Sequence, residues 1–255
     1  MLAGLAIGGC RSSDDAHVAA VTKAPVKPQR TASGQAVIAG RVFFSGTPPA
    51  PRRFRVSSDK ACGAEGSGWR ESESLQLSAG GSLLNAFVYV RQGLEGTAYA
   101  PPDAPAVLDQ EGCRFIPHVL GLQVGQPLRI LNSDPTLHNV HALSKLNRAF
   151  NLGLTRTAPE AQRAFDRPEV MIPVRCNVHP WMEAYLGVLA HPYFAVSDSA
   201  GRFMISHLPA GSFTVEVWHE VLGTQSQTVT LGETDSSKVE FTFPASALAA
   251  VRELN

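Results

Sequence analysis

The chain has 255 residues, 44% of them hydrophobic, which is enough for one large or two small domains with a substantial core. Its 22 basic and 22 acidic residues give a formal net charge of zero, and there is no basic tract, so nucleic acid is excluded as an expected partner. No apolar run is long enough for a transmembrane helix. The β-branched residues, 22 Gly and 18 Pro predict a sheet protein with many turns.

The first ten residues end in a pattern that resembles a bacterial lipobox. Ile7-Gly8-Gly9 leads directly into Cys10, which would be lipidated after cleavage of the preceding residues. No basic segment precedes this stretch, so either the chain starts upstream or the match is coincidental. A lipidated Cys10 would make the protein an exported lipoprotein that touches the membrane only through its lipid. Residue 11 is Arg rather than Asp, and by analogy with lipoprotein sorting this favours attachment to the outer membrane. The predicted location is therefore periplasmic or outer-membrane-anchored.

After residue 10, the sequence predicts a linker and then a series of strands. Residues 11–35 are rich in Ala, Ser, Lys, Thr and Pro without a period, which predicts a flexible linker. A strand over 36–46 opens a predicted N-terminal extension, 36–79. Further strands are predicted at 80–96, 106–110, 113–124 with a break at Pro117, 126–134, 136–143 and 169–176, and residues 183–197 carry the chain onward after residue 182.

One long segment lacks a strand pattern. Residues 144–168 are polar and without a clear period, so we expect a surface loop with a helical turn near 158–165. The many short strands on either side are typical of an all-β fold, a sandwich or Greek-key barrel.

The stretch "CNVHPWM" combines three soft donor groups within seven residues. Cys176, His179 and Met182 follow one another at intervals of three between two predicted strands, so one loop can direct all three at one point. A second imidazole is available from His138, 38 residues upstream at the end of another strand. The alternative is a buried turn that contains these residue types by chance.

The thioether separates copper from zinc as the expected metal. Two imidazoles, one thiolate and a weak thioether form the blue-copper donor set, whereas zinc prefers four ligands of Cys, His or carboxylate type. The sequence therefore predicts one type 1 copper held by His138, Cys176, His179 and Met182.

The combination of "HNVH" and "CxxHPxM" resembles the cupredoxin family, in particular its amicyanin- and plastocyanin-like members. The resemblance covers about 80–190 and implies a Greek-key sandwich with those four residues as copper ligands. It also implies that Asn139 ties the two ligand segments together. Pro180 lacks an N–H and cannot donate a hydrogen bond to the sulfur, which would influence the redox potential. Trp181 belongs either to an apolar docking patch beside the exposed edge of His179 or to the core.

The C-terminal part has a different sequence pattern. Residues 191–247 contain "DSAGRF", "LPAG" and the alternating "FTVEVW", and this half-domain resembles the carboxypeptidase regulatory-like, transthyretin-like β-sandwich. It is too short for a whole domain of that kind, and the strand at 36–45 is expected to complete it, which would interleave two units in sequence. The resemblance implies a small additional β-sandwich unit with carbohydrate as a possible ligand class.

The four cysteines fit an exported protein. With Cys10 lipidated and Cys176 on a metal, Cys62 and Cys113 remain and are expected to form a disulfide, the alternative being two free buried thiols. Closing that loop would stabilise the fold by roughly 4 kcal/mol on the chain-entropy model.

The function predicted from the sequence is single-electron transfer to or from a periplasmic redox protein. No catalytic motif stands out, so an enzyme is not expected. Two alternatives remain open, namely a copper protein for delivery or sensing, and a non-redox lipoprotein that binds carbohydrate or protein.

Overall fold

The computed structural model describes residues 34–56, 59–63, 68–78 and 80–248. The predicted signal remnant 1–10, including Cys10, and nearly all of the predicted linker 11–35 lie outside these residues. Within them the protein is almost entirely β, as predicted, with one short helix, α1, at Lys60–Gly63. None of the described helices has the length and apolar character needed to cross a membrane.

Eighteen strands make up the described sheets. The first nine are β1 Ala36–Ser45, β2 Arg53–Arg55, β3 Trp69–Glu71, β4 Phe87–Gln92, β5 Ala106–Glu111, β6 Arg114–Ile116, β7 Val119–Gln123, β8 Leu128–Leu131 and β9 His138–Ala142. The other nine are β10 Phe150–Leu154, β11 Glu160–Arg163, β12 Glu169–Arg175, β13 Glu183–Leu189, β14 Phe194–Val196, β15 Arg202–Leu208, β16 Gly211–His219, β17 Gly223–Leu231 and β18 Ser236–Pro244.

The first sandwich is built from both ends of the described chain. One sheet has the order β15-β1-β18 and the other the order β14-β4-β16-β17. Alternating side chains of β1, such as Ile38 and Val42, point inward and meet Phe213 and Val215 of β16 in one buried cluster. Strand β1, which was expected to complete the C-terminal unit, pairs antiparallel with β15 and parallel with β18.

The second sandwich contains the predicted metal residues. Its sheets have the orders β10-β9-β12-β13-β7 and β11-β8-β5-β6. Leu108, Leu128 and Ile130 from one sheet pack against Val140 and Leu186 from the other, in a second buried cluster. Strands β2 and β3 pair with each other in a separate small sheet, and Cys62 lies between them in sequence.

Two boundaries expected from the sequence are corrected. The predicted strand 80–96 and the predicted domain start at residue 80 place β4 in the metal-binding unit, but β4 pairs with β14 and β16 of the first sandwich. The second sandwich is therefore formed by β5 to β13 and is inserted between β4 and β14. At the other end of the second sandwich, residues 183–197 divide between the two units, since β13 pairs with β12 and β7 whereas β14 pairs with β4.

The expectation of a loop at 144–168 is also wrong. This segment holds β10 and β11, each at the edge of a sheet. Their outward residues are polar, as edge strands commonly are, and this masks the strand pattern in the sequence.

Aromatic side chains of β4 join the two sandwiches. Phe87 packs over Gly121 of β7 and Gly187 of β13, which are paired directly across the sheet. A Cβ on Gly187 would lie 2.5 Å from Phe87 Cζ, so only glycine leaves room for the ring. The second sandwich thereby packs against the first one.

Candidate metal centre

The loop between β12 and β13 carries three of the predicted ligands. It is closed at its base by the pair Arg175 and Glu183 and by a hydrogen bond from Cys176 N to Met182 O of 3.2 Å. Inside it, Met182 N donates to His179 O over 2.9 Å. A short loop between two paired strands is thus fixed by its own backbone, which limits the positions that its side chains can take.

His138 reaches the same place from the start of β9. Strand β9 pairs with β12 at Ala142 and Val174, so its first residue lies beside the loop that follows β12. His138 shares its face with Val140 and Ala142 and therefore points into the core.

Three donor atoms converge at this point. The Nδ1 atoms of His138 and His179 are 2.9 Å apart, and Sγ of Cys176 lies 3.9 Å from Nδ1 of His179. One donor from each residue falls within 4.8 Å of the others, and the exposed fractions are 0% for His138, 2% for Cys176 and 3% for His179. Cys176 is the free cysteine of the described chain. The structure therefore contains a candidate His/Cys metal-binding site.

Asn139 connects the two segments that carry the donors. Its Oδ1 accepts hydrogen bonds from the backbone N–H of Asn177 at 2.7 Å and from Sγ of Cys176 at 3.4 Å. Its amide nitrogen donates to Oδ1 of Asn151 on β10 over 2.6 Å. The amide thus links β9, β10 and the loop that carries Cys176.

A carboxylate stands behind each imidazole, and sequence reasoning missed both. Asp134 Oδ2 lies 2.8 Å from Nε2 of His138, and Asp59 Oδ2 lies 3.1 Å from Nε2 of His179. Asp134 precedes His138 by four residues and was visible in "DPTLH", whereas Asp59 lies 120 residues from its histidine and no local pattern marks it. Carboxylates in this position orient ligating imidazoles and raise their basicity.

The protonation of His138 favours a free Nδ1 atom on that ring. Burial lowers the pKa of His138 below its usual range, against the opposing influence of Asp134, so the ring is neutral at pH 7. A neutral imidazole has one proton, and because Asp134 accepts it at Nε2, Nδ1 presents a lone pair. Burial raises the pKa of Asp59, but hydrogen bonds from Thr136 and Ala61 N and the contact with His179 outweigh it and hold that pKa below its ordinary value.

The spacing of the donors suits one metal ion. Two metal–nitrogen bonds of about 2.0 Å span the 2.9 Å between the Nδ1 atoms, and one such bond with a metal–sulfur bond of about 2.3 Å spans the 3.9 Å to Sγ. The residues present therefore fit a metal.

The remaining predicted residues lie around the site. Met182 is buried in the same core cluster as Cys176, while Pro180 is exposed. Trp181 is half-buried, with its ring centroid 5.0 Å from that of His179 and its Nε1–H donating to Cys113 O over 3.3 Å. Trp181 thus packs against the core and the disulfide.

The disulfide between Cys62 and Cys113 is formed, as predicted. Both residues are buried, and Sγ of Cys62 lies 3.7 Å from Nε2 of His179. One expectation is corrected here, because the edge of His179 is not exposed but covered by Asp59 and Cys62. Within the part of the chain that the structure describes, the contacts of Trp181 favour core packing, the second of the two expected roles.

Solved structures that are similar in part are copper proteins. The copper-containing nitrite reductase of Thermus scotoductus SA-01 is 21% identical over 38% of this chain, with a TM-score of 0.32, and the match spans only 25% of that chain. An amicyanin mutant in its reduced Cu(I) form is 18% identical over 40% of this chain and 97% of its own, with a TM-score of 0.30. The purple cupredoxin of Nitrosopumilus maritimus is 20% identical over 32% of this chain and 98% of its own, with a TM-score of 0.28. No protein-family model and no curated protein matches the chain.

Proposed function

We propose that this protein is a single-electron carrier with one type 1 copper ion. The ligands would be Nδ1 of His138, Sγ of Cys176, Nδ1 of His179 and the thioether of Met182. The observation that carries the proposal is the convergence of two imidazole Nδ1 atoms and one free thiol in a buried site. When bound, copper would supply a reversible one-electron couple.

The donor set favours copper over zinc. Two imidazoles and one thiolate with a weak thioether suit both oxidation states of copper, whereas structural zinc sites take four strong ligands. The carboxylates near the site do not complete a zinc site around the shared point, because Asp59 and Asp134 contact the Nε2 side of the rings.

The surrounding contacts support electron transfer without a chemical change in a substrate. Asn139 and the two carboxylates fix three donors from two separate segments, so the geometry would change little between oxidation states. An electron carrier needs this constancy, and we propose a periplasmic redox protein as the partner.

The burial of the donors disfavours delivery of copper to other proteins. A delivery site must release its ion quickly, and here all three donors are at most 3% exposed. We therefore expect slow loss of copper to a chelator.

Export and lipid attachment through Cys10 complete the proposal. The Cys62–Cys113 disulfide supports an oxidising compartment, because such bonds are rare in the cytosol. Incorporation of labelled fatty acid into the full-length protein, and its loss in Cys10→Ala, would test the anchor.

The first test of the function replaces each of two histidines on strand β9 with alanine. In His138→Ala the copper protein should lose its intense thiolate-to-copper absorption in the visible region, and copper affinity should fall by more than tenfold. His141→Ala is the matched control, since His141 lies on the same strand but contacts Asn177 rather than the donor cluster. Equal spectra for parent, His138→Ala and His141→Ala would reject His138 as a ligand.

A further inference from the structure

The outer side of His179 is closed by a segment that is remote in sequence. His179 is 3% exposed, and its Nε2 atom faces Asp59 Oδ2 at 3.1 Å and Cys62 Sγ at 3.7 Å. Both covering residues come from the stretch between β2 and β3, outside the metal-binding sandwich. The imidazole is thus enclosed on the side away from the donor cluster as well.

Asp59 is held in this position by several contacts. Its Oδ2 also accepts a hydrogen bond from Oγ1 of Thr136 over 2.8 Å, two residues before the ligand His138. Its Oδ1 accepts from Ala61 N over 2.8 Å, and its backbone oxygen accepts from Cys62 N over 3.2 Å. The carboxylate therefore connects the His138 segment and the His179 ring.

The disulfide continues this connection to the second carboxylate. Cys62 is bonded to Cys113, whose backbone N–H donates to Asp134 Oδ2 over 2.8 Å. That same oxygen lies 2.8 Å from Nε2 of His138. Asp59 and Asp134, one behind each imidazole, are thus joined through the Cys62–Cys113 bond.

We propose that Asp59 is a positioning residue of the metal centre, which accepts the Nε2–H of His179 and closes its edge, and that the Cys62–Cys113 disulfide holds it there. This inference rests on the proposed copper site. It implies that a redox partner does not touch the Nε2 edge of His179 directly.

The test follows the Nε2 proton of His179 in the full chain loaded with Cu(I). With histidine-selective 15N labelling, the parent should show an Nε2–H signal that exchanges slowly with water, because Asp59 binds it and the site is buried. In Asp59→Ala this exchange should become at least tenfold faster, and copper affinity should fall about 10- to 100-fold, as when outer partners of metal ligands are removed. After oxidation to Cu(II), the visible charge-transfer band should persist in Asp59→Ala, since Asp59 is not itself a ligand.

Two further variants make the result specific. Asp166→Ala removes an exposed carboxylate from the same sandwich and should leave the exchange unchanged. Asp59→Asn preserves the side-chain volume, and its neutral amide accepts a weaker hydrogen bond, so its exchange should lie between those of the parent and Asp59→Ala. It provides the same test if Asp59→Ala does not fold.

The disulfide is tested by the double variant Cys62→Ser/Cys113→Ser, which should also speed the exchange. This inference would be overturned if the Nε2 proton exchanged at the same rate in Asp59→Ala and Asp59→Asn as in Asp166→Ala. If the parent still showed the visible band, the proposed function would remain intact. A parent without that band would contradict the proposed function, and this inference with it.

Discussion

The residues in and around the donor cluster come from distant parts of the sequence, and each has a different role. His138, Cys176 and His179 supply the converging atoms, Asn139 fixes the sulfur, and carboxylates hold the outer nitrogens. The donors themselves could be predicted because their types and spacing are a local pattern around one loop and one strand end. Asp59 could not, because its role arises only when a disulfide brings a distant segment onto the ring.

Met182 is the residue whose role is best tested by the redox potential. Met182→Leu keeps the buried volume, so stability should change by less than about 1.5 kcal/mol. Loss of the thioether removes a donor that stabilises the more highly charged Cu(II), so the potential should rise by about 59 mV or more, a tenfold shift for a one-electron couple. Protein-film voltammetry measures this directly.

The matched control for Met182 is a methionine far from the site. Met204 lies on β15 in the first sandwich and is 64% exposed. Met204→Leu should leave the potential unchanged. An unchanged potential in Met182→Leu as well would show that the thioether is not a ligand.

Among the strands, those that the sequence does not place correctly are the ones whose position depends on their pairing partners. β10 and β11 look like a loop because edge strands expose polar residues on the outer side. β4 looks like part of the metal-binding unit because it precedes that unit in sequence. Its buried run of Phe87 to Val90 is explained by two partners, the core of its own sandwich and the surface of the other.

The contact of β4 with the metal-binding sandwich yields a stability prediction. Gly187→Ala would place a Cβ 2.5 Å from Phe87 Cζ and 2.7 Å from Met171 Cε, so the packing must shift. The free energy of unfolding should fall by about 1–3 kcal/mol, the usual cost of an overpacked core. Urea denaturation provides the measurement.

A second strand glycine serves as the comparison for Gly187. A Cβ at Gly153 of β10 would meet nothing closer than Leu137 Cδ1 at 3.9 Å. Gly153→Ala should therefore change the free energy of unfolding by no more than about 0.5 kcal/mol. Equal effects of the two substitutions would contradict the close approach of Phe87.

At the scale of the whole molecule, one sandwich is inserted into the other. The chain leaves the first sandwich after β4, builds the metal-binding sandwich from β5 to β13, and returns at β14. Besides Phe87, a buried ion pair joins the two, in which Nε2 of His118 meets the carboxylate of Glu220. Burial lowers the pKa of His118, but the hydrogen bond and charge of Glu220 outweigh it and raise that pKa, which favours a charged pair.

This arrangement gives the metal centre support on several sides. The ligand loop lies between paired strands, the disulfide segment covers His179, and the first sandwich packs against the sheet that carries β13. The sequence analysis expected this interleaving, because the strand at 36–45 resembles the opening strand of the modules that the C-terminal part also resembles. It did not predict which strands cross between the units, because that depends on pairings that local patterns do not encode.

The central claim is that Cys176 binds copper as a thiolate beside two imidazoles. Its most direct test is the visible absorption and electron paramagnetic resonance spectrum of the Cu(II)-loaded protein, compared with that of Cys176→Ser. We expect an intense charge-transfer band in the parent and its complete loss in Cys176→Ser, with the fold retained. A colourless copper-loaded parent with Cys176 intact, or a band that survives in Cys176→Ser, would contradict it.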